Sequence, residues 1–211
     1  MIGIIADSHA RTETIVAALK ILKDYDCRHI YHLGDVCDSA HPEKAEVCLR
    51  PLRKHDVITI KGNNEQTIIA NHRGRKKTPV PPAVLRFLQS LPLVERYRNA
   101  IFTHSLPFSQ ELGLACMIGV MGQTEARRFF CEFPQHILFR GHSHSPEIVW
   151  QNGRDIGFRP LRVGEKFDLK GRIPCVVTCG ALTRGFCMVW KPEENYIESL
   201  SFGPREISRL K

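Results

Sequence analysis

Seven residues of this chain are of types that could do chemistry together: Asp7, His9, Asp35, Asn63, His104, His142 and His144. Each stands at or just beyond the end of an apolar run. Asp7-Ser8-His9 follows residues 2–6, Gly34-Asp35 follows 30–33, and Gly62-Asn63-Asn64 follows 57–60. Thr103-His104 closes the run at 100–103, and Gly141-His142-Ser143-His144 follows 137–139. One such residue after an apolar run is an ordinary turn; five runs ending alike form a pattern. Carboxylate and amide oxygens mixed with imidazoles, without cysteine, suit manganese, iron, zinc or nickel rather than a thiolate-bound structural zinc. The i, i+2 spacing of Asp7/His9 and of His142/His144 lets two side chains of an extended turn point the same way. Seven donors are too many for one ion. One carboxylate shared between two ions resolves the count, and Asp35, central in the order, is the candidate bridge. Two divalent ions about 3.5–4 Å apart would activate a bridging hydroxide and stabilise a phosphoryl group during in-line displacement.

The elements that must position these residues can be read in order. Residues 2–6 form a short strand, and Thr12 can cap a helix whose Ile15, Val16, Leu19 and Leu22 share one face. A strand at 30–33 follows, then a helix opened by His41-Pro42 that Pro51 should disturb or end, then a strand at 57–60. Strand and helix thus alternate as in βαβ units on a parallel sheet. Pro81-Pro82 precedes a one-face helix through Leu91, and Arg98-Asn99 joins two strands as a hairpin. The apolar series Leu112, Leu114, Met117, Ile118, Val120 and Met121 fits buried packing or a subunit contact, as in a homo-oligomer, better than a substrate lid. A helix at 124–133 leads to the strand at 137–139. Beyond it the helical period is lost, and strands are expected at 148–151, 174–178, 187–191 and 197–202, with 152–173 a hairpin excursion or loop.

Length and composition bound the rest. A chain of 211 residues with 43% apolar and 25% charged residues reads as one soluble domain, 1–211, with a core that needs no staples. No apolar run is long enough to span a membrane, and residues 1–6 are too short for a signal peptide. Eight cysteines without a Cys-x-x-Cys pair read as reduced thiols, so the cytoplasm is the expected compartment. A formal charge of +8 favours anionic partners. Its densest cluster, His72-Arg73-Gly74-Arg75-Lys76-Lys77, is either a solvated loop or a phosphate-steering loop through Arg73, Arg75, Lys76 and Lys77.

Asp7-x-His9, Gly34-Asp35-x-x-Asp38, Gly62-Asn63-x-Glu65, His104 and Gly141-His142-x-His144 together resemble the full motif set of the calcineurin-like metallophosphoesterases, in order and spacing, across residues 1–150. The size is similar to the small bacterial and archaeal phosphodiesterase branch. The resemblance implies an α/β (α+β) fold of four layers, two packed mixed β-sheets flanked by helices. It also implies one ion on Asp7, His9, Asp35 and His144, and a second on Asp35, Asn63, His104 and His142.

Three departures from the family pattern carry information. Many members have histidine after the motif asparagine, where it aids the leaving group; this chain has Asn64. Protein phosphatases have arginine after the second aspartate of the Gly-Asp motif; this chain has Ser39. Thr178-Cys179-Gly180-Ala181 stands where the family often has Asn-x-Gly-Ser, so its turn is expected to survive with altered side-chain contacts. Asp38 is expected to orient His9 or Asn64, or to cap the following helix. His32, His41 and His72 match no ligand position, with His41 and His72 as reserve proton donors. The expected function is a metal-dependent phosphoesterase, acting on a phosphate-ester small molecule or nucleotide with two divalent ions, manganese first. Asp35, Asn63 and His104 would take the catalytic roles. Two alternatives stand beside it. One is a nuclease acting on nucleic acid, favoured by the basic charge. The other is a non-catalytic binding protein like the retromer subunit of this fold, in which the ligand set is eroded.

Overall fold

The computed structural model describes residues 1–108 and 113–203. The first half of the chain builds β1 (Ile2–Ile5), α1 (Thr12–Asp24), β2 (His29–His32), α2 (Ala45–Lys54), β3 (Ile58–Thr59), α3 (Asn63–His72) and α4 (Pro82–Ser90). Then come β4 (Val94–Tyr97), β5 (Ala100–Thr103), α5 (Leu114–Ile118), α6 (Gln123–Glu132) and β6 (Ile137–Arg140). The remainder is β7 (Glu147–Asn152), β8 (Asp155–Pro160), β9 (Lys166–Asp168), β10 (Cys175–Thr178), β11 (Phe186–Lys191) and β12 (Tyr196–Ser201).

These strands make two sheets, ordered β3-β2-β1-β11-β12-β9 and β4-β5-β6-β10-β7-β8. Both are mixed. β1, β2 and β3 run parallel, as do β5, β6 and β10, while the remaining pairs are antiparallel. Alternation along each strand separates the layers. Ile4, Phe102, Phe139, Val177 and Trp190 point into the core between the sheets. Ile5 and Val189 face the other way, onto α1, α2 and α4 through Leu22, Leu49 and Leu88. Ile101, Leu138 and Val176 face α6 through Ala126, Phe129 and Phe130. Four layers result, as expected. The sheets are locked together by aromatic contacts: Tyr31 of β2 stacks on Phe102 of β5 with centroids 4.0 Å apart, and Phe139 of β6 lies against Trp190 of β11 at 5.1 Å.

The elements differ from the sequence reading where local signals were weak. Thr12 is the first residue of α1 and Arg11 is its cap, without a side-chain cap bond. Pro51 lies inside α2, which continues to Lys54. Burial of Cys48, Leu49 and Leu52 outweighs the one hydrogen bond that proline removes, whose acceptor belongs to the half-exposed Val47. Gly62-Asn63 is no isolated turn, because Asn63 opens α3. The segment 105–122 contains α5, whose Cys116 and Met117 are buried while Leu114 and Ile118 are exposed. Leu112 of its apolar series lies outside the described residues. The excursion 152–173 is ordered: β8 pairs with β7, and β9 crosses to pair with β12 in the other sheet. Among the described residues no helix is long and apolar enough to cross a membrane.

Candidate metal centre

The carboxyl ends of the parallel strands open on one edge of the sandwich, and all seven donor residues gather there. The loops they occupy are stitched together by backbone bonds. The amide of Asp7 donates to Gly34 O at 3.1 Å, that of His9 to Asp35 O at 3.0 Å, and that of Gly141 to His104 O at 3.1 Å. Asp7, His9, Asp35, His142 and His144 all adopt positive φ, between 43° and 66°. Each such conformation costs on the order of 1 kcal/mol or more, and it turns successive side chains into one space. Two glycines permit the approach of the loops. Gly34 has φ 89°, and a Cβ there would come within 2.8 Å of Gly62 N and 2.9 Å of His104 Nδ1. At Gly62 a Cβ would collide with the backbone and carboxylate of Asp35.

Asp7 and His104 are fully buried and Asp35 nearly so, whereas His9 and His144 keep about a quarter of their side-chain surface at the mouth. His9 Nε2 is 3.2 Å from His144 Nε2, which is 3.5 Å from Asp7 Oδ1. On the other side, His104 Nε2 is 3.1 Å from both Asn63 Oδ1 and His142 Nδ1. Asp35 Oδ2 lies between the groups, 3.9 Å from His9 Nε2 and 3.6 Å from His104 Nε2. Two triads have mutually close donor atoms, Asp7/His9/His144 and Asp7/Asp35/His104. Asp7 therefore belongs to both, whereas Asp35 belongs to the second.

Two ligands held about 2.1 Å from one ion at 90–109° stand roughly 3.0–3.4 Å apart, so separations of 3.1–3.5 Å suit cation binding. A second observation agrees. Asp7 Oδ2 accepts the amide of His142 at 3.0 Å, but the buried Oδ1 has no hydrogen-bond donor among the described residues. Its 3.5 Å approach to His144 is an electrostatic contact rather than a hydrogen bond. A buried carboxylate oxygen left bare among imidazoles is what a cation site presents. Burial pushes the Asp7 pKa up, but contact with His144 and the charges of His104, His144 and His9 outweigh it and hold Asp7 below the usual range. Asp7 in turn raises His144, while burial and the neighbouring His104 lower His142. His104 Nδ1 donates to Leu33 O at 2.7 Å, which leaves its Nε2 lone pair aimed at the cluster.

The surrounding residues partly follow expectation. Asn64 contacts Asp35 directly, its backbone amide reaching Oδ1 at 2.9 Å and its side-chain amide reaching Oδ2 at 2.7 Å. Asp38 accepts the amide of Ala40 at 2.8 Å, and it is Ser39, through its amide at 2.9 Å, that orients Asn64. His32 is buried against Ser8 Oγ, His41 is exposed beside Glu43, and His72 contacts Thr78. The turn at Gly180 survives with φ 80°, its neighbours packed by Pro146 and Phe186. Arg73, Arg75, Lys76 and Lys77 are exposed beyond the far end of α3, a ten-residue helix and so roughly 15 Å long from Asn63. They do not join the cluster.

Sequence reasoning missed Glu65 as a support. Fully buried, it accepts the amides of Asp35 and Gly62 on Oε2 and of Cys37 on Oε1, each at 2.8 Å. Burial and nearby Asp35 raise its pKa, and the amides of Cys37 and Gly62 oppose them. The spacing Gly62-x-x-Glu65 was the available signal, a helix-opening pattern in which the third helical residue reaches back. Arg140 was also missed. It is buried beneath the cluster and ties Ser105 O at 3.1 Å to Thr178 and Ser143, joining the ends of β5, β6 and β10.

Comparison with known proteins agrees with this architecture. Residues 1–177 match the family described as the calcineurin-like phosphoesterase superfamily domain. An uncharacterized protein of Methanocaldococcus jannaschii, MJ0912, is 24% identical over 179 residues, covering 72% of this chain and 66% of that protein. Among solved structures, a metallophosphoesterase from Sphaerobacter thermophilus superposes with a TM-score of 0.74 at 20% identity, covering 96% of this chain and 88% of its own. The hypothetical protein PH1004 from Pyrococcus horikoshii OT3 gives a TM-score of 0.64 at 13% identity, over 100% of this chain and 92% of its own.

Proposed function

The chain belongs to the calcineurin-like phosphoesterase superfamily, and from that premise we propose that it is a metal-dependent hydrolase of phosphodiester or nucleotide substrates with two divalent ions at its centre. The observation that carries this reading is the donor set itself, at ligand-like separations around a bare, buried Asp7 Oδ1. Asp7, His9, His144 and Asp35 would hold one ion, and Asp35, Asn63, His104 and His142 the other. When bound, the ions supply a nucleophile at neutral pH and Lewis acidity toward phosphoryl oxygens, manganese being the first expected.

This chain's residues do the rest. Asp35 carries the negative charge that keeps the two donor groups together, and Asn64 and Glu65 fix its carboxylate and its backbone. The His104–Leu33 bond presents an unprotonated Nε2 inward, with Asn63 at its side. The exposed edges of His9 and His144 leave the cluster open to solvent on that side, where a phosphate ester would arrive. A binding-only role would not require a full ligand set, and here all seven positions are filled.

The experiment is metal analysis of the purified protein, followed by a manganese-supplemented screen of nucleotides, dinucleoside polyphosphates, cyclic nucleotides and single strands. Asp35→Asn should lose most activity and weaken both ions. A variant with two tightly held ions and near-normal turnover would remove Asp35 from the bridge.

A further inference from the structure

Two arginines at the mouth of the centre have no role in the donor set or its supports. The short 3-10 turn Leu182–Arg184 is fastened to the loop that carries Asp7: the amide of Leu182 donates to Ala6 O at 2.8 Å and that of Thr183 to Asp7 O at 3.3 Å. Arg184, at the end of this turn, reaches Ser145 Oγ at 3.3 Å, one residue beyond His144. Arg11, two residues beyond His9, is held by its own amide on Ser8 O at 2.9 Å and extends Nη1 to Thr183 O at 3.5 Å. Arg11 thus reaches the turn that carries Arg184, and Arg184 reaches the residue after His144, so both stand beside the two histidines that face solvent.

Both arginines are exposed, and neither has a carboxylate partner among the described residues. Each guanidinium offers five N–H donors, of which one recorded contact occupies a single nitrogen. A planar fork with free donors beside a phosphoryl site matches a second phosphate group. The basic loop at 73–77, a helix-length away, cannot make that contact.

We propose that Arg11 and Arg184 form an anion clamp at the rim of the centre, which selects substrates bearing a further phosphate next to the scissile one, as in nucleoside polyphosphates. The inference rests on the phosphoesterase reading above. A diester without a second charged group gains little from the clamp, whereas a phosphoanhydride chain spans the cluster and the two guanidinium groups together.

The test compares the wild type with Arg11→Gln/Arg184→Gln on two substrates in manganese, ATP and bis(4-nitrophenyl) phosphate. The ratio of kcat/KM for ATP over the diester should fall at least about tenfold, mainly through KM for ATP. In parallel, calorimetric titration of the manganese-loaded proteins with ADP should show affinity falling by about the same factor, with orthophosphate changing less. Arg127→Gln/Arg154→Gln removes equal charge where Arg127 of α6 meets Arg154 O in the turn after β7, away from the centre, and should leave the ratio alone. A ratio within twofold of wild type, whether both rates fall or neither does, overturns the clamp. If the wild type hydrolyses neither substrate, the phosphoesterase reading fails instead, and the ADP titration alone decides whether the clamp exists.

Discussion

Asn64 grips both oxygens of Asp35, the backbone amide at 2.9 Å on Oδ1 and the side-chain amide at 2.7 Å on Oδ2, while its own Oδ1 accepts the amide of Ser39 at 2.9 Å. Both polar atoms of the side chain are thus committed to holding the loop after β2. The position that carries a histidine in many family members serves here as a brace, and a neutral amide is no proton donor at working pH.

The chemical step should therefore depend steeply on leaving-group pKa. Single-turnover hydrolysis of substituted phenyl phosphodiesters measures it directly; a nearly flat dependence would mean that a proton donor is already in place. Asn64→Ala should weaken metal binding or activity by about 10–100-fold, the usual cost of losing a ligand's outer support. Asn64→His should flatten the leaving-group dependence if the imidazole still meets Asp35.

Glu65→Gln tests the second brace. The amide keeps one acceptor oxygen and turns an NH2 group toward at least one of the three backbone donors now bound at 2.8 Å. Loss of charge-assisted bonds on this scale costs about 2–4 kcal/mol. Each kcal/mol lowers Tm by roughly 2–4 °C in a chain of this size. Calorimetry of metal-free and manganese-loaded protein should show both a lower Tm and a smaller metal-induced shift. An unchanged metal shift would confine Glu65 to folding.

His32 should make the protein acid-sensitive. Burial pushes its imidazole down to about 3, opposed by Asp7 and assisted by His104 and His9. In the unfolded chain it titrates near 6.5. Between these values the unfolded state binds a proton that the folded state refuses, so stability falls as pH drops from about 6.5 toward 3, by up to about 1.4 kcal/mol per pH unit. Above about 6.5 the group contributes no slope. Urea unfolding at pH 7, 5.5 and 4.5 reads this, and His32→Gln, which can still meet Ser8, should have a shallower acid limb. Parallel limbs would place the sensitivity elsewhere.

The loop holding Arg73, Arg75, Lys76 and Lys77 is roughly a helix length from Asn63, beyond the Debye length of about 10 Å at 0.1 M salt. Any contribution to substrate capture must be long-range steering. Replacing all four by Gln should lower kcat/KM by roughly 2–5-fold at low ionic strength, leave kcat alone, and have no effect above about 0.3 M salt. Identical salt profiles would make this loop a solvated surface.

The seven donor residues were legible in the sequence because each ends a strand, and strand ends in an α/β sheet point to a common edge whatever the details between them. The four layers were legible too, through the family motifs and through short continuous apolar runs such as 137–139, which read as strands buried on both faces. Other features had no sequence signal strong enough to fix them. α3 was hidden because Asn63 and Asn64 read as turn residues, and only the contact of Glu65 with three amides makes that turn a helix start. Pro51 continues α2 because three buried neighbours outweigh one lost hydrogen bond. Asp38 and Asn64 were both plausible supports by spacing, and only the fold shows that Asn64 meets Asp35 while Asp38 caps its own loop. Arg11 and Arg184 lie 173 positions apart, and no local pattern pairs them. Arg11 reaches the turn that carries Arg184 because antiparallel pairing of β11 with β1 returns the chain to the first loop. Residue type and strand order determine which candidate donors reach one edge; long-range packing decides which neighbours hold them and what stands at the mouth.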